Sequence, residues 1–353
     1  MRPSRLNDRI AGWLRRTFRA DHSALSARRG ARTHVVILDG TMSSLKPGEE
    51  TNAGLTYRLL EEMNGQLSLY YEAGIQWREW RSTTDVLTGR GINRQIRRAY
   101  GFLASRYRPG DRIFFFGYSR GAYAVRSLAG IIDRVGLLRP EEATVRNIRT
   151  IFRLYQCDPV GRATREYGKK HCHPEAPIEM VGVWDTVKAL GLRFPVLWRL
   201  TEDRHEFHSH ELGPTIHHGY HALALDETRM AYQPVLWNTP SDWSGDVEQV
   251  WFRGTHGDVG GQLGGHDASR PLSNIPLVWM LERAEACGLP LPEGWKQRFP
   301  CDVQAPSVGT WRGAGKLFFL RQARTVGVDP SERVHETAEP TRTLPPSGEA
   351  QAV

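Results

Sequence analysis

The residues with the clearest potential for chemistry surround a serine near the first third of the chain. Residues 112–121 read R-I-F-F-F-G-Y-S-R-G, a short apolar run followed by G-x-S-x-G with Ser119 at its centre. In a strand-turn-helix unit of this kind, Gly117 and Gly121 relieve steric crowding and leave the serine hydroxyl exposed in a strained turn. The amino terminus of the following helix favours developing negative charge. The pattern therefore predicts that Ser119 is a nucleophile.

A serine hydroxyl is a weak nucleophile at neutral pH, so it needs a base and an acidic group that orients the base. In the fold that carries such a serine, the three residues follow one another along the chain in the order serine, acid, histidine. His34 precedes Ser119 and is therefore excluded as the base. His256 follows an apolar run in the glycine-rich stretch V-W-F-R-G-T-H-G-D-V-G-G, and Asp185 ends the apolar run M-V-G-V-W-D. We therefore predict that His256 is the base and Asp185 the acid.

Two other aspartates are alternative acids. Asp226 lies in A-L-A-L-D-E-T-R, which has a helix-like pattern and predicts a salt bridge to Arg229. Asp258 lies two residues after His256 and could reach that histidine only through a local bend. Asp185 is favoured over both, and Asp258 is assigned a supporting role.

Acyl transfer also needs donors for the oxyanion that forms in the transition state. The backbone N–H of Arg120, directly after the serine, is the first predicted donor. The second is the backbone N–H of Gly40 or Thr41, because D-G-T follows another apolar run and a glycine permits close approach. Asp39 either braces that loop or simply forms the turn.

Two other classes of function compete with a serine hydrolase. A metal-dependent hydrolase could use Asp39, His256 and Asp258, or the histidines at 205, 208, 210, 217 and 218. Their irregular spacing is poor for convergent coordination, so neither a metal site nor a cofactor is predicted. The remaining alternative is a scaffold of the same fold without activity.

The elements that must position these residues alternate short apolar runs with amphipathic stretches. That alternation is typical of an α/β fold, with a mainly parallel sheet covered by helices on both faces and with loop or helical insertions. The strand predictions are 34–38, 67–71, 112–116, 178–183 and 249–252, and the helix predictions are 54–62, 91–105, 122–132, 141–155 and 275–287. The expected architecture is that of an α/β-hydrolase.

Charge is concentrated at the amino terminus. The chain has 353 residues and a net charge of +8, but residues 1–32 alone carry nine arginines and two aspartates. The nearly neutral remainder argues against a nucleic-acid partner. Residues 1–32 combine an apolar helical face with a basic one, which suits the surface of an anionic membrane, a targeting segment or docking on the protein itself.

The four cysteines form no CxxC pair, which favours a reducing compartment.

Three parts of the chain differ in composition. We expect a basic amphipathic arm over 1–32, a catalytic domain over 33–328 and a disordered tail over 329–353, which is rich in proline, threonine, serine and glutamate. Residues 193–220 are rich in histidine and irregular, which predicts an insertion over the sheet.

The combination of motifs resembles the type VI secretion lipase-effector (Tle-like) catalytic domain family. The resemblance rests on V-I-L-D-G-T (36–41), T-N-A-G-L (51–55), Y-Y-E-A-G-I (70–75), the long serine motif (109–123), G-V-W-D-T-V (182–187), H-A-L-A-L-D-E-T-R (221–229), G-T-H-G-D-V-G-G (254–261) and L-S-N-I-P-L-V-W-M-L (272–281). It implies that Ser119, Asp185 and His256 are the triad of an acyl-ester hydrolase.

The resemblance also implies a substrate class and partners. Characterised secreted members of this family cleave glycerophospholipids, so a phospholipid or another lipid ester is the expected substrate. Peripheral contact with a membrane through residues 1–32 would suit such a substrate. The expected location is the cytoplasm or a membrane surface, and an exported effector would leave without a cleavable signal peptide and would have an immunity protein as a candidate partner.

Overall fold

Seven short strands form one parallel sheet in the computed structural model, which describes residues 30–341 except 64, 75–89, 188–210, 240–242, 244 and 312–319. The strands are β1 (Thr33–Leu38), β2 (Leu67–Glu72), β3 (Arg112–Tyr118), β4 (Ile178–Trp184), β5 (Ile216–Ala224), β6 (Asp246–Phe252) and β7 (Glu332–Val334). Their order across the sheet is β2-β1-β3-β4-β5-β6-β7, and each neighbouring pair is parallel. The α/β fold class with a mainly parallel sheet, predicted from the sequence, is confirmed.

Helices cover both faces of the sheet. They are α1 (Asn52–Glu61), α2 (Arg90–Ala104), α3 (Arg120–Arg134), α4 (Val145–Cys157), α5 (Arg162–His171), α6 (His256–Gly260) and α7 (Arg270–Ala286). Short 3-10 helices span Pro140–Glu142, Met230–Tyr232, Asp267–Ser269, Trp295–Arg298 and Glu336–Thr341. One core packs α2, α3 and α4 on one face, and a second packs α1 and α7 on the other. Central strands are apolar on both sides because both faces are buried.

The register of the sheet brings several loops to the same edge. Leu38, the last residue of β1, pairs with Gly117 of β3, and Tyr118 at the end of β3 pairs with Trp184 at the end of β4. The chain order reverses between β1 and β3, which is where ligands bind in open α/β sheets. The residues that follow β1, β3 and β4 therefore meet at one place.

Two strands lie where the sequence analysis predicted none. β5 includes residues 216–220, which belong to the segment predicted to be an irregular insertion. The prediction missed this strand because the polar histidines at 217 and 218 masked the strand pattern, although the later residues of β5 are buried. β7 lies in the segment predicted to be disordered, where three residues extend the sheet beside β6. The disorder prediction is therefore wrong for residues 329–341. The rest of the tail, residues 342–353, lies outside the described residues.

Most of the predicted amphipathic arm, residues 1–29, also lies outside the described residues. None of the helices that the structure describes has both the length and the apolar character needed to cross a membrane.

Candidate active site

The backbone at Ser119 is strained. This residue lies between β3 and α3 with φ 57° and ψ −120°, a conformation that residues other than glycine rarely adopt. A Cβ on Gly117 would lie 2.7 Å from Ala122 Cα, and one on Gly121 would lie 2.0 Å from the carbonyl oxygen of Leu38. Both glycines are therefore required by the close packing of the turn, as the spacing of the motif predicts.

The hydroxyl of Ser119 is part of a continuous chain of hydrogen-bonding groups. Ser119 Oγ lies 2.9 Å from His256 Nε2, and His256 Nδ1 lies 2.5 Å from Asp185 Oδ2. All three residues are buried, with Ser119 the most accessible at 8% exposure. With the imidazole proton on Nδ1, facing Asp185, Nε2 can accept a proton from the serine. The structure thus brings together the three residues that the sequence selected.

A buried arginine that the sequence analysis missed contacts Asp185. Arg324 Nη1 lies 2.6 Å from Asp185 Oδ1, and Arg324 Nη2 lies 2.9 Å from Asp185 Oδ2. Burial alone would raise the pKa of Asp185, but the Arg324 charge and the hydrogen bond with His256 outweigh it and hold the pKa below its usual range. Asp185 is therefore ionised at neutral pH.

The imidazole of His256 is held by neighbours on several sides. The ring of Tyr118 stacks on it at a centroid distance of 4.9 Å, and the ring of Tyr232 lies at 4.7 Å. The backbone N–H of His256 donates to Glu227 at 3.2 Å, and Glu227 is itself paired with Arg229. Because these contacts restrain both the ring and its backbone, the imidazole is oriented toward Ser119 before any substrate binds.

Asp258 stabilises the loop that carries His256. Its carboxylate accepts hydrogen bonds from the backbone and side chain of Thr255, both at 2.8 Å, which caps the start of α6. It also accepts from Val308 N at 2.9 Å and from Ser307 Oγ at 2.5 Å. Asp258 therefore attaches α6 to the segment around residue 308.

The other alternative acid, Asp226, lies in a different setting from the one predicted. It follows strand β5 rather than lying in a helix, and its carboxylate accepts a hydrogen bond from Gly254 N at 2.7 Å. Arg229 pairs with Glu227, so the predicted salt bridge between Asp226 and Arg229 is wrong. The apolar A-L-A-L run looked helical because a strand buried on both faces has no alternation.

The loop after β1 is organised by Asp39, which is 1% exposed. Its carboxylate accepts hydrogen bonds from Gly40 N at 2.6 Å, Thr51 Oγ1 at 2.6 Å and Tyr71 Oη at 2.7 Å. Burial raises the pKa of Asp39 to about 6, although these three donors oppose the shift. Asp39 is thus a brace for the loop, one of the two roles left open by the sequence.

This arrangement separates the two candidates for the second oxyanion donor. The Gly40 amide is already bonded to Asp39, so it is not free to bind an oxyanion. A Cβ on Gly40 would lie 2.7 Å from the Tyr118 ring and 3.4 Å from Ser119 Cβ, which shows how closely this loop approaches the serine. Within the described part of the chain, neither Thr41 N nor Arg120 N has a hydrogen-bond acceptor. Thr41 therefore replaces Gly40 as the candidate.

Asn52 is a further buried residue whose role the sequence did not indicate. Its side-chain amide donates to Val259 O at 2.9 Å and to Ser273 O at 3.0 Å. It therefore connects the start of α1 to α6 and α7, beside the loop of His256. Only its place in the T-N-A-G-L motif, next to Thr51, marked it as special.

The residues considered for a metal site do not converge. Asp39 and Asp258 each bind hydroxyl and backbone donors in separate loops, and His256 lies between Ser119 and Asp185. Of the five clustered histidines, those at 205, 208 and 210 lie outside the described residues. Across the described ranges, no three histidine, cysteine or acidic side chains are grouped as a metal ion would require.

Comparison with known families gives one match over most of the chain. Residues 32–283 match the family described as T6SS, Phospholipase effector Tle1-like, catalytic domain. The match includes Asp39, Ser119, Asp185 and His256, and it ends before Arg324.

Individual relatives share less than a third of their residues with this chain over the aligned regions. An uncharacterized protein of Saccharomyces cerevisiae, YEL023C, is 29% identical over 222 residues, which cover 55% of this chain and 31% of the yeast protein. Among solved structures, an uncharacterized protein from Pseudomonas aeruginosa matches at a TM-score of 0.40 and 16% identity, covering 80% of this chain and 50% of that one. The Tle1 effector bound to the VgrG spike of the type 6 secretion system matches at a TM-score of 0.33 and 18% identity. This match covers 66% of this chain and 51% of that one. This chain thus spans about a third of the length of the yeast protein and about half the length of each solved chain.

Proposed function

Since this chain belongs to the family of type VI secretion phospholipase effectors with a Tle1-like catalytic domain, we propose that it is a serine hydrolase that cleaves acyl esters of phospholipids. The observation that carries the proposal is the chain of contacts from Ser119 through His256 to Asp185, at 2.9 and 2.5 Å. The strained turn at Ser119, at the start of a helix, supports its assignment as the nucleophile.

The first half of the proposed reaction forms an acyl-enzyme. Ser119 Oγ attacks the ester carbonyl carbon while His256 Nε2 accepts the hydroxyl proton. The carbonyl oxygen becomes an oxyanion, which the backbone N–H groups of Arg120 and Thr41 stabilise. As the carbon–oxygen bond breaks, His256 gives its proton to the departing alcohol oxygen. Asp185 keeps the imidazole in the required tautomer and stabilises its charged form.

The second half releases the fatty acid. A water molecule attacks the acyl carbon while His256 Nε2 accepts one of its protons, and a second oxyanion forms at the same two N–H groups. Collapse of this intermediate breaks the bond to Ser119 Oγ, which regains a proton from His256. The products are a carboxylic acid and the free enzyme, so the cycle requires no cofactor.

The substrate class is tested by comparing a soluble ester with a membrane lipid. Wild type and Ser119→Ala are assayed on a short-chain chromogenic ester and on vesicles of mixed glycerophospholipids, with and without a chelator. We expect wild type to release fatty acid from the vesicles, with loss of this activity in the variant and no effect of the chelator.

Each other outcome contradicts a definite part of the proposal. Cleavage of the soluble ester alone would exclude phospholipid as the substrate and keep the serine mechanism. Loss of activity with the chelator would favour the metal-dependent alternative. A folded wild-type protein that cleaves neither substrate would favour the scaffold alternative.

Protonation of Asp39 is expected to reduce activity in mildly acidic solution. Above a pH of about 6 the carboxylate is ionised and accepts three hydrogen bonds that shape the loop of Thr41. We expect Asp39→Asn to lower kcat/KM about tenfold at pH 8, a loss of about 1.4 kcal/mol in transition-state stabilisation. The ratio of wild-type to variant activity should shrink as the pH falls below 6, as measured by pH profiles of both proteins.

Stability provides the control for this prediction. The pKa of Asp39 is raised on folding from 3.8 to about 6, so its contribution to stability is greatest at low pH and is lost as the pH rises through 6. Protonation of Asp39 in acid therefore does not destabilise the fold, and unfolding caused by Asp39 cannot explain a loss of activity at low pH. A ratio that stays constant from pH 5 to pH 8 would contradict the assigned role.

We also propose that residues 1–32 hold the enzyme on anionic membranes. Replacing Arg5, Arg9, Arg16 and Arg19 by glutamine removes four charges, each worth about 1 kcal/mol near such a surface. We expect binding to anionic vesicles to weaken by roughly a hundredfold or more in a sedimentation assay, with unchanged hydrolysis of the soluble ester. Equal vesicle binding by the variant and wild type would refute this role.

Family membership further supports export as an effector, with an immunity protein as the proposed partner class. A protein that blocks the entrance to Ser119 would be the simplest form of such a partner. Secretion that depends on a type VI system would support export, and retention in the producing cell would contradict it.

A further inference from the structure

Arg324 approaches Asp185 in a geometry suited to fixing a carboxylate. Its two terminal nitrogens face the two carboxylate oxygens, at 2.6 and 2.9 Å, with the arginine side chain 2% exposed. The same guanidinium also donates to the carbonyl oxygens of Ala224, at 2.7 Å, and Tyr232. A planar guanidinium that binds both oxygens of a carboxylate holds that carboxylate in a single orientation.

That orientation determines where the imidazole points. Asp185 Oδ2 is shared between Arg324 Nη2 and His256 Nδ1, so rotation of the carboxylate would move the acceptor of the histidine proton. Asp185 itself has φ 41°, a strained backbone that the surrounding contacts must maintain. Ala224 N donates to Asp185 Oδ1 at 3.1 Å, which places a second restraint on the same group.

The segment that carries Arg324 is attached by contacts other than this ion pair. Gln322 N donates to Thr228 O at 2.8 Å, and β7 pairs with β6. The side chain of Arg321 donates to Thr228 Oγ1 and Thr310 O, and its guanidinium covers the Trp311 ring. Removal of the Arg324 charge therefore leaves the backbone of the segment anchored.

We propose that Arg324, from a segment outside the family match, is a positioning residue that orients Asp185 and, through it, the imidazole of His256. This inference rests on the proposed serine mechanism. The guanidinium of Arg324 contacts Asp185 and the carbonyl oxygens of Ala224 and Tyr232, so it acts through the aspartate. The family match, which ends at residue 283, does not contain it.

The test compares Arg324→Met and Arg324→Lys with wild type on the soluble chromogenic ester, over pH 5 to 9. We expect Arg324→Met to lower kcat about a hundredfold, as misplacement of a catalytic group does, with KM changed less than threefold. Arg324→Lys keeps the charge without the two-pronged contact to the carboxylate, so we expect an intermediate kcat.

Arg333→Met is the matched control, because it removes an arginine nine residues away whose half-exposed side chain pairs with Glu248 of β6, away from the triad. It should keep wild-type kcat. If Arg324→Met does not fold, the lysine variant still tests the orientation: wild-type kcat in Arg324→Lys would then overturn the proposal.

Failure of this inference differs from failure of the serine mechanism. Wild-type kinetics in Arg324→Met, combined with an inactive Ser119→Ala, would overturn the role of Arg324 alone. Full activity in Ser119→Ala, or an inactive wild type, would overturn the mechanism and with it the inference.

Discussion

Replacing Ser119 by alanine is expected to lower kcat on an ester substrate by about a millionfold, the loss seen when a serine hydrolase loses its nucleophile. The substitution removes the oxygen that we propose forms the acyl-enzyme, while His256 and Asp185 keep their mutual contact at 2.5 Å. Ser119 N also keeps its hydrogen bond to Trp184 O. We therefore expect a normal melting temperature, measured by calorimetry beside the kinetic assay.

Ser127→Ala is the matched control for this substitution. Ser127 lies in the same helix, α3, and its hydroxyl donates to Tyr123 O in the preceding turn, away from the triad. It should keep wild-type kcat. A Ser119→Ala protein with more than a hundredth of wild-type activity would show that another group attacks the ester.

The second large effect is expected at Asp185. Asp185→Asn should lower kcat about ten-thousandfold, because an amide favours the wrong tautomer of the histidine. Unlike Ser119→Ala, it should also destabilise the fold by about 3 to 5 kcal/mol, since Arg324 would keep a buried charge without its carboxylate. Urea denaturation at pH 7 measures the free energy of unfolding, and the ester assay measures kcat.

A double variant separates the two effects. Adding Arg324→Met to Asp185→Asn removes the unpaired charge, so most of the lost stability should return while kcat stays low. Recovery of activity in the double variant would contradict the role of Asp185 in orienting His256. A single Asp185→Asn variant with wild-type stability would contradict the importance of the buried ion pair.

The sequence was sufficient for features that depend on neighbouring residues. The motif around Ser119 combines an apolar strand, two glycines and an amphipathic helix within about 20 residues, and the structure has all three there. Asp185 and His256 each follow an apolar run, and parallel strands bring such positions to a common edge. Local pattern and chain order were therefore enough to predict which three side chains meet.

Features that depend on distant contacts could not be predicted. Arg324 meets Asp185 across 139 residues of sequence, and the composition around it resembles that of a loop. The choice between Gly40 and Thr41 depended on a hydrogen bond to Asp39 that only the folded loop reveals. β7 has three residues and is a strand because β6 offers an unpaired edge, not because its own residues prefer that conformation.

The pairing of β7 with β6 has a practical consequence for recombinant fragments. A fragment cut at the end of the family match, residue 283, would shorten α7 and leave β6 as the outermost strand, with the ring of Trp251 uncovered on one side. Open sheet edges pair with other chains, so such a fragment would be prone to aggregate. Expression boundaries drawn from homology alone would thus exclude β7, which covers the edge of β6, and a fragment intended for assay should extend at least through residue 341.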